Sequence, residues 1–197
     1  MKLALLPLTL HLLPEGRVPL RIFEPRYVRM IAEAEKDDRG FGIGMLEDPD
    51  DTGKGDLYML GARVKIVDFY TLEDGMLGIT VEATERFRIR ELAEEQDGLL
   101  QAEVELLDNW RSCALSPVEQ ILSDKLQEVF EEYPELAALH PEPRWQDAAW
   151  LTQRWLEVLP IKNDYIQMLM GEPSCHRALT FLLSMIRPDD AQPDQQH

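Results

Sequence analysis

Gly61-Ala62-Arg63-Val64-Lys65-Ile66-Val67-Asp68-Phe69 leads through Thr71-Leu72-Glu73-Asp74-Gly75 into Leu77-Gly78-Ile79-Thr80-Val81-Glu82-Ala83. Val64 and Ile66 alternate with Arg63 and Lys65, and Leu77, Ile79, Val81 and Ala83 alternate with Thr80 and Glu82. A period of two is that of half-buried strands, whose successive side chains point to opposite faces. The Asp74-Gly75 step supplies the positive φ angles that a tight hairpin turn needs. The stretch therefore predicts a long antiparallel hairpin. Gly61, inside a strand pattern, predicts a bulge or corner where the sheet curls.

Working outward, Phe87 and Ile89 extend the second strand, and Ala102, Val104 and Leu106 alternate with Gln101, Glu103 and Glu105 in a further one. One helix interrupts this β region. Pro25 presets the φ of a first helical turn, and Tyr27, Met30, Ile31 and Ala34 fall at i, i+3, i+4 and i+7. Glu47 to Asp56, with Gly53 and Gly55, reads as an exposed, mobile loop. Near residue 112 the texture changes to helical spacing between proline-bearing breaks. Ser116-Pro117-Val118-Glu119 is a capping box opening a helix that closes at Tyr133-Pro134. After a linker over 134–143 come helices carrying Ala148, Leu151, Trp155 and Leu159, then roughly Asp164 to Met170, then Ala178, Leu179, Leu182, Leu183 and Ile186. Four helices of this kind form a compact bundle. The expected organisation is α+β: a mainly antiparallel β-barrel with one inserted helix over 1–111, a C-terminal helical bundle over 112–187, and a flexible tail over 188–197.

The 197 residues carry 20 Lys and Arg against 37 Asp and Glu, a net charge of −17. Nucleic-acid binding relies on basic residues displacing counterions, so generic DNA or RNA binding is disfavoured. Two cysteines, Cys113 and Cys175, are too few for a disulfide scaffold and fit a reducing, cytoplasmic address. The apolar opening from Met1 to Leu13 is interrupted by Pro7, His11 and Pro14, and no stretch of the length needed to span a membrane occurs. His11, His140, His176 and His197 lie far apart and in no metal-ligand spacing, so no metal or cofactor is expected. Cys175 and His176 are adjacent, and neighbouring helical residues point about 100° apart and do not readily meet, which favours a packed thiol over a nucleophile–base pair. Lys54 is followed by Gly55 rather than Ser or Thr, so the nucleotide-binding loop is missing, and no Gly-x-Ser-x-Gly elbow is present.

Glu24-Pro25-Arg26-Tyr27 supports two readings. In one it is architectural, with Glu24 at the helix N-terminus, Arg26 in an ion pair and Tyr27 packed; in the other it is a wall of a binding groove. The tryptophans Trp110, Trp145, Trp150 and Trp155 read chiefly as packing residues.

Leu5-Leu6-Pro7-Leu8, Leu12-Leu13-Pro14, Pro19-Leu20 and Ile22-Phe23-Glu24-Pro25-Arg26-Tyr27 together resemble the opening of the Lon protease N-terminal domain. The resemblance continues through Gly61 to Phe69, Asp74-Gly75, Glu82 through Arg86-Phe87-Arg88-Ile89, Trp155 to Pro160 and Arg177-Ala178-Leu179, covering about residues 3 to 187. Leu60-Gly61-Ala62 keeps only part of the family's Gly-Thr-x-Ala pattern. The resemblance implies a six-stranded PUA-like barrel followed by a helical bundle, a region that in Lon helps engage unfolded protein substrates. The resulting expectation is a stand-alone, non-enzymatic protein- and peptide-binding module, a monomer or weak homodimer, lacking the ATPase and protease parts. Its partners would be unfolded or exposed protein segments and a separate ATP-dependent protease. Leu12, Phe23, Glu24, Arg26, Tyr27 and Trp110 are the expected peptide-contacting residues. The alternative is a PUA-like small-ligand or RNA sensor using a local cationic groove of Arg17, Arg21, Arg26 and Arg29. A third reading, a hydrolase with carboxylates as acid and base, has no specific motif behind it.

Overall fold

The computed structural model of the chain describes residues 1–47 and 56–186. The expected mobile loop around Gly53 and Gly55 and the expected tail over 188–197 lie outside the described residues. Six strands build one mixed sheet: β1 (Lys2–Leu8), β2 (Arg17–Ile22), β3 (Phe41–Leu46), β4 (Leu57–Thr71), β5 (Leu77–Glu94) and β6 (Leu100–Leu107). The order is β2-β5-β4-β3-β1-β6, and β6 also pairs with β5, so the ladders return to β5 with β2 attached beside it. The pairings are antiparallel except for β1 with β3, which run parallel. Parallel neighbours need a crossover, and β2 with helix α1 (Pro25–Lys36) supplies it.

The predicted hairpin is present, with Ile66 facing Val81 and Phe69 facing Ile79. At its tip only Gly75 takes a positive φ, +79°, while Asp74 accepts from the Met76 N–H at 3.1 Å. The β5–β6 tip repeats this design with Gly98 at φ +82° and Asp97 accepting from the Leu99 N–H. Gly61 sits in regular register opposite Phe87, while on its other side the β3 ladder shifts immediately past the Gly44–Gly61 pair, and a further shift with β5 falls between Arg63 and Val64. The glycine also serves close approach. A Cβ at residue 61 would lie 2.5 Å from both the Ile43 carbonyl oxygen and the buried Phe87 ring. Gly61→Ala should therefore destabilise by about 2 kcal/mol, the usual scale of overpacking; a urea titration with unchanged slope and a lowered midpoint checks this.

Five helices follow the sheet: α2 (Gln120–Glu132), α3 (Pro134–Ala138), α4 (Ala148–Val158), α5 (Asn163–Met170) and α6 (His176–Ile186). The capping box forms in part. The Ser116 N–H donates to the Glu119 carboxylate at 2.7 Å, and the helix proper begins at Gln120. The segment read as a linker holds α3, because Pro134 presets its first turn and Leu136 and Ala137 pack against the helical core. With α1, the helices number six among the described residues.

The buried residues form clusters on the sheet side, on the helical side and between them. Ile22, Met30, Ile31, Phe41, Ile79, Val81 and their neighbours fill the sheet side, whereas Leu122, Leu126, Trp150, Leu151, Trp155 and Leu182 fill the helical side. Between them Leu13 and Leu60 pack with Leu156, Ile166, Leu169, Met170 and Cys175. Two buried arginines fasten this seam. Arg86 of β5 donates to the carbonyls of Met170, Glu172 and Asp108, and its guanidinium lies 5.1 Å from the Trp110 ring centre. Arg154 of α4 donates to the Pro14 carbonyl at 2.9 Å and to Glu157 at 3.0 Å. His11 bonds the Leu156 carbonyl, and burial pushes its imidazole below the usual value.

Candidate functional site: a bare sheet edge

The β3 ladder leaves β4 at Val64, opposite Phe41, while β5 accompanies β4 to Thr71. Among the described residues, nothing pairs with Lys65 to Thr71 on the side away from β5. Elsewhere on β4 such a gap is filled. Where the bulge between Gly44 and Leu46 breaks the β3 ladder, the Gln167 amide of α5 accepts from the Leu60 N–H at 3.1 Å and donates to the Leu60 carbonyl at 3.0 Å. That amide stands in for a missing strand. No comparable group covers the 65–71 edge among the described residues.

Two exposed apolar side chains flank this edge. Register places Phe69 in a row with Ile79 and Leu20, on the apolar face, yet it is 49% exposed. Val67 occupies the extra position between Ile66 and Asp68, where the register with β5 shifts, and it too is exposed. Met76, at the hairpin tip, and Phe23, one residue past the Ile22–Leu77 pair, are exposed at the same end. Phe23 is 64% exposed.

Val67 also lines a cleft of about 690 Å³ between the outer face of this lobe and the α3–α4 segment. Its sheet wall is Arg17, Lys65 and Glu82; its helical wall is Leu139, His140, Arg144 and Trp150. Burial opposes ionisation of Glu82, but Lys65 and Arg17, at 3.0 and 2.6 Å, hold its carboxyl below the ordinary value. Arg144 is paired with Glu15. Burial pushes His140 down to about 4, so its imidazole is neutral at physiological pH and packs against Phe130 and Trp150. The cleft's three cations are thus each paired, Arg17 and Lys65 on the shared Glu82 and Arg144 on Glu15 and Asp147. Among the described residues no group of three His, Cys, Asp or Glu side chains is arranged to hold a metal ion.

The structure separates the residues singled out in the sequence. Leu12 is buried with Ile22, Met30 and Ile31, and Trp110 is buried with its indole N–H donating to the Glu172 carbonyl at 2.8 Å. Both face the core rather than a groove. Phe23, Glu24, Arg26 and Tyr27 stay together at the β2–α1 corner. Arg26 binds Glu24 at 2.7 Å and the Gly98 carbonyl at 2.8 Å, and its guanidinium lies 4.8 Å from the Tyr27 ring centre. Burial raises the Tyr27 pKa, against the pull of Arg26. The corner ties α1 to the β5–β6 tip, where Arg29 adds bonds to Glu95 and Asp97. Each arginine of the RNA reading carries a carboxylate: Arg17 has Glu82, Arg21 has Asp74, Arg26 has Glu24, and Arg29 has Glu33, Glu95 and Asp97. They form no uncompensated cationic groove. Cys175 meets Cys113, not His176, whose imidazole bonds Ser174 instead.

Residues 2–187 match the model of the ATP-dependent protease La (LON) substrate-binding domain. The chain belongs to this family. A solved Lon N-terminal domain protein from Xanthomonas campestris superposes with a TM-score of 0.73 at 28% identity, covering 93% of this chain and 98% of that one. The N-terminal domain of Mycobacterium avium complex Lon protease shares the fold, with a TM-score of 0.59 at 13% identity over 94% of this chain and 98% of that one. Among full-length relatives, Lon protease 2 of Myxococcus xanthus is 30% identical over 66% of this chain. The match spans 16% of that protease's length. The mixed sheet with six helices is therefore a Lon N-terminal domain-like fold, and the similarity supports a Lon-like substrate-binding role. Among the described residues no helix is long and apolar enough to cross a membrane.

Proposed function

We propose that the chain is a non-catalytic module that captures exposed or unfolded protein segments by adding them as a strand to the bare edge of β4. The observation that carries this reading is the 65–71 edge, unpaired among the described residues, with Val67 on one face and Phe69 on the other. Strand addition obtains affinity from main-chain hydrogen bonds and selectivity from alternate side chains, which is the arrangement a binder of varied unfolded sequences needs. The ladder as a whole is read as a PUA-like barrel over 1–111 and the helices of 112–187 as a bundle. Delivery of clients to a separate ATP-dependent protease, a cytoplasmic setting and a monomer or weak homodimer complete the reading. Lys65 and the irregularity at Val67 suit an edge that must bind clients without polymerising. The net charge of −17 favours basic segments.

Phe23, Glu24, Arg26 and Tyr27 form the outer end of this surface, with Phe23 the apolar contact and the other three holding the corner in place. The test is fluorescence anisotropy of a labelled, reduced and carboxymethylated protein against the full chain. Val67→Ser with Phe69→Ser should weaken binding about 10-fold or more, from the apolar burial lost. Because both residues are exposed, melting should move by no more than about 2 °C. Unchanged affinity in a folded double variant would overturn the edge as the capture site.

A further inference from the structure

Cys113 and Cys175, the chain's two cysteines, place their Sγ atoms 3.8 Å apart although 62 residues separate them in sequence. Cys113 lies half-buried in the connector from β6 to α2, and Cys175 is buried immediately before α6. Both backbones are anchored. The Cys113 carbonyl accepts from the Ala148 N–H at 2.8 Å, and the Cys175 carbonyl accepts from the Leu179 N–H at 2.8 Å. The first turns of α4 and α6 therefore impose the approach of the two sulfurs. The same junction is where Trp110 and Arg86 bond the Glu172 carbonyl, joining connector, sheet and helices.

We propose that Cys113 and Cys175 are a reversible dithiol–disulfide couple, oxidised by peroxides, that cross-links the β6–α2 connector to the start of α6. In the first step the half-buried Cys113 sulfur attacks peroxide. The O–O bond breaks, an S–O bond forms, and water leaves, giving a sulfenic acid. In the second step the Cys175 sulfur displaces that hydroxyl; the S–S bond forms, the S–O bond breaks, and the departing hydroxide takes the Cys175 proton as a second water. Two thiols lose two electrons in total, and one peroxide is reduced. Burial, reinforced by the neighbouring Cys113 sulfur, pushes the Cys175 thiol up to about 12, so it is protonated at neutral pH and is not the sulfur that meets oxidant first. Its contribution is position: a reactant held in contact gains in effective concentration what it lacks in nucleophilicity. A reducing compartment would return the pair to thiols, making the cross-link a transient response to oxidant. The couple stands independently of strand capture at β4.

The test treats the full chain with graded hydrogen peroxide, blocks remaining thiols, and maps peptides by mass without reduction. The expected product is a monomer lighter by two hydrogens, with the Cys113 and Cys175 peptides joined and separated again by dithiothreitol. Melting should rise by about 5–10 °C on oxidation, since a long loop is closed. Cys113→Ser should abolish both the cross-link and the rise. Cys113 over-oxidised to sulfinic acid while Cys175 still alkylates, or disulfides formed only between chains, would overturn the proposal. The wild-type peptide map decides this even if a variant folds poorly.

Discussion

An Arg86→Met variant should unfold about 10 °C below the parent at neutral pH, a loss of about 4 kcal/mol. Arg86 is 1% exposed, and its two terminal nitrogens serve three backbone carbonyls drawn from three places: Met170 at the end of α5, Glu172 in the following turn, and Asp108 after β6. Methionine approximates the aliphatic stem but donates nothing. Glu172 would keep its bond from Trp110, whereas Met170 and Asp108 would lose theirs, and a buried group left unpaired costs about 1–3 kcal/mol. A buried ion pair can often be exchanged for apolar groups without loss, because both partners go. Here the partners are peptide carbonyls, which no side-chain substitution removes. Burial pushes the guanidinium down to about 10, so it remains charged at neutral pH and its bonds are charge-assisted. Arg86→Lys should recover only part of the loss, since one ammonium cannot span all three acceptors. Thermal and urea melts decide the matter, and a change under about 1 kcal/mol in Arg86→Met would mean that packing, not these bonds, holds the seam.

That Arg86 matters was not legible in the sequence, and the reason is physical. Period-two alternation puts Arg86 with Arg88 on the polar face of β5, opposite Phe87, and a polar strand face normally meets water. Part of that face is covered by the α5–α6 turn, a long-range fact no local pattern records. The same limit applies to the parallel β1–β3 pairing, because alternation identifies strands but not their partners. Local chemistry was readable where it is local. Pro25 with Met30, Ile31 and Ala34 specified α1 and its buried stripe, and Gly171 does end α5. Apolarity alone misplaced Leu12 and Trp110, since it says that a side chain prefers cover and not whether neighbours supply it. Phe69 shows the converse: it lies in the apolar row with Ile79, and it is exposed because β4 outruns β3 there. Val67 takes the extra position between Ile66 and Asp68, an irregularity that the alternation of Val64 and Ile66 with Arg63 and Lys65 does not announce.

At the opposite fastening, Glu157→Ala should cost about 3 kcal/mol, and Glu157→Gln about 1–2 kcal/mol. The Glu157 carboxyl accepts from the Leu13 N–H at 2.7 Å and from Arg154 at 3.0 Å, and it presses so closely on the β1–β2 loop that a Cβ on Gly16 would lie 2.1 Å from it. Alanine leaves the Leu13 N–H and part of the buried guanidinium without acceptors. Glutamine retains an oxygen for both, but its NH2 would lie against the Arg154 Nε, which the second carboxylate oxygen now meets at 2.8 Å. Burial raises the Glu157 pKa, outweighing the opposing pull of Arg154 and the Leu13 N–H. A carboxyl whose folded pKa exceeds its ordinary value of 4.5 contributes stability fully below that value, and the contribution is lost as pH rises through the folded pKa. The parent's margin over Glu157→Gln should therefore shrink as the pH rises through the folded pKa of Glu157. If Glu157→Gln melts level with the parent at neutral pH, the Leu13 N–H bond, rather than the pair with Arg154, holds the β1–β2 loop against α4.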